Sequence, residues 1–158
     1  MNKEEKLRLA QDMAKALIIH FEGFSSKPYH CPGGYLTIGY GHRIEPDEKW
    51  GEISEEEAEV ILNQDIKLIL GFLKVSFQEK FYELNEDQIA ALISFVFNIG
   101  RTAFQESTVR KKILAGARPS EIANEMMRWV YSNGKLLPGL LERRKAEAEL
   151  FLSGGKEK

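Results

Sequence analysis

A single cysteine, Cys31, stands among 158 residues, so no disulfide can close within the chain. That excludes a disulfide-stapled scaffold and fits synthesis in a reducing cytoplasm. Long apolar runs are also missing. The longest nearly apolar stretch, residues 89–99, contains Ser94 and Asn98 and falls short of a membrane's thickness at helical rise. Residues 1–11 are thick with Lys, Glu and Arg and lack the apolar core of a secretion signal. Neither an export signal nor an anchor is therefore expected. Nor is there an excess of positive charge: the formal net charge is −2, which gives no general case for nucleic acid binding.

What is present is an ordinary globular composition, 43% apolar and 29% charged, enough for one core and hardly for two. One domain spanning residues 1–158 is expected. The charge is unevenly spread. Residues 1–100 hold 10 Lys/Arg against 17 Asp/Glu, and residues 101–158 hold 12 against 7. A basic C-terminal part could face an anionic polymer, and a solvated helical surface explains it equally well.

Leu7, Ala10, Ala14, Leu17, Ile18 and Phe21 recur at helical spacing and predict a helix from Lys3 to about Glu22, stopped by Gly23. The period then changes. Pro28 and Pro32-Gly33-Gly34 punctuate a segment in which residues 35–40 alternate, so residues 29–45 read as a hairpin or three-stranded sheet. Ser54 with Glu57 is a capping box opening a long helix, whose end Gly71 and Phe72 blur. Asn85 with Gln88 opens a helix to about Ile99 that is apolar almost all round, as a central buried helix would be. A short helix over residues 108–115 follows. Pro119 leads another through Trp129, Ser132-Asn133-Gly134 turns the chain, and residues 138–152 form the last helix before Gly154-Gly155. The class is α+β, mainly α, with two lobes around a cleft.

Glu22 falls at the rim of the first helix's apolar stripe, beside Ile18 and Phe21. Shielding from water disfavours a charged carboxyl, which suits a general acid. An isolated helix-terminal Glu is more often simply solvated. Thr37 lies on the strand face it shares with Tyr35, Gly39 and Gly41, a polar and open face suited to a cleft floor. A hairpin would bring Cys31 near Thr37. Its polar, glycine-rich loop argues for partial exposure, and a thiol there could accept a proton weakly or hold a water.

Together, Glu22-Gly23-Phe24, Tyr29-His30-Cys31 and Leu36-Thr37-Ile38-Gly39-Tyr40-Gly41-His42 resemble the bacteriophage-type lysozyme family. Its pattern is Glu, eight residues, Asp or sometimes Cys, five residues, Thr. Residues 91–100 are similar to the family's central helix. Trp129, Gly134-Lys135, Leu137-Pro138-Gly139-Leu140 and Arg143-Arg144…Glu147 are similar to its C-terminal signature. The resemblance covers roughly residues 3–152 and implies a lysozyme-like fold. A β-containing lobe over about 20–60 would be joined by a long helix to a helical lobe over about 75–153, which the N-terminal helix completes.

It also implies an endolysin that hydrolyses the β-1,4 bond between N-acetylmuramic acid and N-acetylglucosamine in peptidoglycan. Glu22 would be the acid, with Cys31 and Thr37 holding the attacking water. Phe97 and Asn98 match sugar-contacting positions, Ser107 stands at another, and Arg43 replaces an apolar cleft residue and could meet a peptide or muramyl carboxylate. Arg143 or Arg144 could orient Glu22, though a surface role serves either equally well. No metal, cofactor, nucleic acid or stable membrane association is implied. The chain would be a monomer, made in the host cytoplasm and reaching the wall through a membrane lesion such as a holin pore.

Cys31 stands where many relatives have Asp, which keeps a lytic transglycosylase in play, using Glu22 alone. A non-catalytic wall-binding protein on the same scaffold is a third reading. A zinc site at His30, Cys31 and His42 has no recognised spacing and no fourth ligand. A cysteine hydrolase built on Cys31 leaves the Glu22–Thr37 spacing unexplained.

Overall fold

The structure is a computed structural model describing residues 1–153; the expected Gly154-Gly155 stop lies outside them. Helix α1 (Lys3–Glu22) is capped by the Asn2 side chain, which accepts from the Glu5 N–H at 2.8 Å, and it buries Ala10, Ala14 and Ile18. Gly23, at φ +68°, stops it. Its direction hands Glu22 straight to the sheet.

That sheet is antiparallel, in the order β1 (Ser25–His30), β2 (Leu36–Gly39), β3 (His42–Arg43). Between β1 and β2 the chain reverses at Cys31–Gly34, where the Gly34 N–H donates to the Cys31 carbonyl at 2.8 Å. The sheet begins at Ser25, four residues before the expected start, and runs through Pro28. The edge position of β1 explains this. A proline needs no ladder donor on an unpaired side, and the register is irregular between Ser25 and Tyr29.

Ser54 and Glu57 form the predicted capping box of α2 (Glu55–Phe77), whose stripe from Ala58 to Leu73 is buried. Gly71 does not end this helix. Burial of Leu73 and Phe77 outweighs the roughly 1 kcal/mol that glycine costs inside a helix. A 3-10 turn (Gln78–Glu83) leads to α3 (Glu86–Ile99), opened by the Asn85–Gln88 capping box. Residues 88–96 of α3 are all buried, because α1 packs on one side of it and α7 (Pro138–Ser153) on another. The central helix is as its lack of a polar face predicts.

Helix α4 (Arg101–Gln105) was not expected; it is one short turn that buries Phe104 completely. α5 (Thr108–Leu114) follows, then α6 (Pro119–Met126), which ends three residues before Trp129. The chain leaves α6 to make a hairpin, β4 (Tyr131–Ser132) with β5 (Lys135–Leu136). Asn133 and Gly134 both have positive φ at its tip, the chemistry a two-residue hairpin turn demands. The protein is mainly helical α+β, with a small three-stranded sheet, a long helix and C-terminal helices.

His42 fastens β3 to α2. Its Nδ1 lies 2.7 Å from Asp65 and its Nε2 3.0 Å from Glu48. Burial alone would lower its pKa, but the two carboxylates overcome that and raise it from 6.5 to about 9. A folded-state pKa above the unfolded one gives stability that is complete below about pH 6.5 and lost as pH rises through about 9. The shift corresponds to roughly 3 kcal/mol. Urea melts from pH 6 to 10 should show that decline, and Asp65→Asn should flatten much of it. A wild-type profile level through pH 9 would refute the clamp.

Candidate active site

Glu22 ends α1 where three elements converge, and its side chain is 19% exposed. Its Oε2 accepts from Arg143 Nη1 of α7 at 2.6 Å. On the sheet side, Gly41 sits against the carboxyl at φ +82°. A Cβ there would lie 2.7 Å from Glu22 Cδ and Oε1. Any side chain at 41 must displace the acid. Gly41→Ala is expected to reduce turnover about a hundredfold, the usual cost of an ångström's misplacement. It should also destabilise by about 1–2 kcal/mol for its left-handed backbone. Activity assays with thermal melts check both effects, and near-normal turnover would show that the acid tolerates movement.

Arg143 is itself held. Its Nε donates to Glu147 at 3.1 Å and its Nη2 to the Ser94 carbonyl at 3.1 Å, while Ser94 Oγ donates to Glu147 at 2.6 Å. Arg144 donates to Glu147, to the Asn98 side-chain oxygen and, at 2.8 Å, to the Trp129 carbonyl. Arg143 and Arg144 are 3% and 1% exposed and Glu147 is fully buried, so the surface role weighed for the arginines is wrong. Two of the C-terminal cations are internal, which weakens the case for a basic polymer-facing surface. The Arg-Arg…Glu signature is visible in the sequence, but the network it builds is not. Its signal is a Glu placed i+4 and i+3 from two arginines, facing a lone Ser in an apolar helix.

The sheet presents a row across its three strands: Tyr29 opposite Thr37, and Thr37 opposite Arg43. The Cys31 N–H donates to the Tyr35 carbonyl at 2.9 Å, so Cys31 and Tyr29 stand on the same face as Thr37. Burial, then electrostatic interaction with Glu22 and Cys31, pushes the Tyr29 phenol above its usual pKa. Tyr29 thus feels both Glu22 and Cys31, a neighbourhood that no sequence motif marks. Cys31 is partly exposed, as expected. Thr37 is not on an open floor: it is 2% exposed, because Tyr29 and Arg43 flank it. Its Oγ1 donates to the Tyr35 carbonyl at 2.9 Å, which leaves the oxygen's lone pairs as acceptors. Between Gly23 and Arg43 the chain has no Asp or Glu, so the sheet offers Glu22 no second carboxylate.

From the helical side, Phe97 and Asn98 end α3 half-buried, and the Asn98 carbonyl accepts from Arg43 Nη2 at 3.2 Å. Ser107 does not join this group. Its hydroxyl donates to the Phe104 carbonyl at 2.7 Å and accepts from the Arg110 N–H at 3.1 Å as the cap of α5. His30 is exposed and both ring nitrogens of His42 are engaged by carboxylates; among the described residues no cluster of three such groups is placed to hold a metal. A groove of about 690 Å³ lies elsewhere, between Lys80, Asp87, Ile113 and Phe151. It contains none of these groups.

A carboxyl at a helix end is set against a small sheet and steadied from the helical side, on a mainly helical α+β frame. The family description Phage lysozyme matches residues 19–147, and the chain belongs to that family. It is 40% identical to the endolysin of Acyrthosiphon pisum secondary endosymbiont phage 1 over 87% of this chain and 93% of that one. It is 37% identical to the endolysin of Bacillus phage B103 over 87% of this chain, spanning about half (52%) of that longer protein. Among solved structures, the muramidase domain of SpmX from Asticaccaulis excentricus superposes with a TM-score of 0.74 at 33% identity, covering 88% of this chain and 94% of that one.

Proposed function

We propose that the protein is an endolysin that hydrolyses the bond between N-acetylmuramic acid and N-acetylglucosamine. Glu22 protonates the leaving glycosidic oxygen. The C1–O bond breaks through an oxocarbenium-like state, and a water on the opposite face adds to C1. Thr37 Oγ1 accepts one hydrogen bond from that water and the Cys31 sulfur another. The water's proton leaves to solvent, and solvent returns a proton to Glu22 for the next turnover. Tying Glu22 Oε2 to Arg143 leaves Oε1 to carry the proton. Arg144 engages the Asn98 side-chain oxygen and leaves its amide N–H groups to bind a sugar, with Phe97 beside it. The engaged hydroxyl of Ser107 lends no support to the part suggested for it.

The observation that carries this reading is a carboxyl gripped by a buried arginine, beside a sheet that sets Cys31 on the face of Thr37. Cys31→Asp is expected to keep wall-clearing activity, and Cys31→Ala to lose most of it, in turbidity assays on purified walls. Unaltered clearing by Cys31→Ala would remove the thiol from the mechanism. One observation favours a second reading: with no carboxylate on the sheet, a transglycosylase, in which the muramic 6-hydroxyl attacks, needs only Glu22. A 1,6-anhydro product in the muropeptide digest would establish it.

Access to the wall is part of the proposal. Among the described residues no helix is long and apolar enough to cross a membrane. The protein acts as a single-domain monomer after a holin-type lesion releases it from the host cytoplasm.

A further inference from the structure

Three arginines stand at the candidate site, and their surroundings differ. Arg143 and Arg144 are buried, with every guanidinium nitrogen engaged by Glu22, Glu147, Ser94, Asn98 or the Trp129 carbonyl. Arg43 is half-buried and, among the described residues, has no carboxylate within ion-pair distance. Among the described residues one donor is engaged, Nη2 on the Asn98 carbonyl at 3.2 Å. The guanidinium lies 3.9 Å from the centre of the Tyr35 ring. Tyr35 is 52% exposed and crowds the Gly33 Cα: a Cβ there would come within 3.3 Å of the ring. The result is a cation with free donors, flattened on an aromatic face, reaching from the sheet to the end of α3.

We propose that Arg43 selects substrate by binding a carboxylate carried by the muramyl part of the glycan; this rests on the peptidoglycan reading above. A guanidinium has five N–H donors, and a carboxylate takes two of them in a fork. Stacking on Tyr35 fixes the plane of that fork before substrate arrives, so little side-chain freedom is lost on binding. Partial burial also weakens screening by salt. A neutral N-acetylglucosamine polymer leaves the same charge partly desolvated with only the Asn98 carbonyl as partner. Discrimination then comes from both the gain and the penalty.

Two sources supply such a carboxylate: the lactyl group of a peptide-stripped strand, or the stem peptide of an intact one. Glu22→Gln protein, which cannot turn the ligands over, would be titrated with chitohexaose, peptide-stripped muramyl strands and peptide-bearing strands. Adding Arg43→Gln should weaken at least one carboxylate ligand about tenfold or more, the scale of a charge-assisted bond. Whatever affinity chitohexaose has should stay within about twofold, and the salt dependence of carboxylate binding should flatten. Arg43→Lys should restore part of the loss. The ligand that weakens identifies the source. An equal loss on all three ligands, or a loss on none, overturns the carboxylate role. Failure of the Glu22→Gln parent to bind any of them removes the glycan substrate itself, and the Arg43 site with it.

Discussion

Glu22→Gln should abolish clearing of bacterial walls while leaving the protein folded. Loss of a general acid typically removes roughly a hundredfold to ten-thousandfold of rate. Glutamine preserves the shape and still accepts a hydrogen bond from Arg143, so the melting temperature should move little. That separation matters because Glu22 also belongs to the Arg143 ion pair. If the variant is inactive only because it unfolds, thermal melts and circular dichroism will reveal it. If it is folded and still clears walls at the wild-type rate, Glu22 is not the acid.

Glu147→Gln should have the largest effect on stability. Glu147 is fully buried and faces Arg143, Arg144 and Ser94. Removing its charge leaves two buried guanidiniums sharing Glu22 as their remaining carboxylate. Breaking a buried pair in this way costs about 3–5 kcal/mol, a fall of roughly 10 °C in melting temperature for a chain of this size. The double variant Arg144→Met, Glu147→Met removes one charge of each sign and should recover much of the loss, because packed apolar groups can replace a buried pair. A Glu147→Gln protein as stable as wild type would mean that solvent reaches this network.

The fold was legible where local signals agreed with tertiary demands. Capping boxes at Ser54 and Asn85 set two helix starts, Gly23 and Gly100 set two ends, and the nearly all-apolar surface of residues 89–96 marked the central helix. It was less legible where packing overrode propensity. Gly71 should weaken α2, yet Leu73 and Phe77 are buried beyond it; Pro28 should interrupt a strand, yet an edge accepts it.

Within the candidate site, strand alternation put Thr37, Tyr35 and Gly41 on one face, but alternation carries no information about what covers that face. Tyr29 and Arg43 bury Thr37 through cross-strand pairing. The expectation for Glu22 rested on its spacing to Cys31 and Thr37 more than on its apolar neighbours. Its contact with Arg143, 121 residues along the chain, was one of two alternatives weighed for that arginine, and burial decides between them. Gly41 was read as part of a motif and of an open strand face. Its reason is steric, since the acid occupies the space a side chain would need.

The most direct test is digestion of purified peptidoglycan in ¹⁸O-labelled water, with the new muramyl ends analysed by mass spectrometry and early-time proton NMR. An acid at Glu22 working against a water held by Thr37 and Cys31 predicts ¹⁸O at the new reducing carbon, formed first as the α-anomer. Ends of the 1,6-anhydro type without label would contradict it.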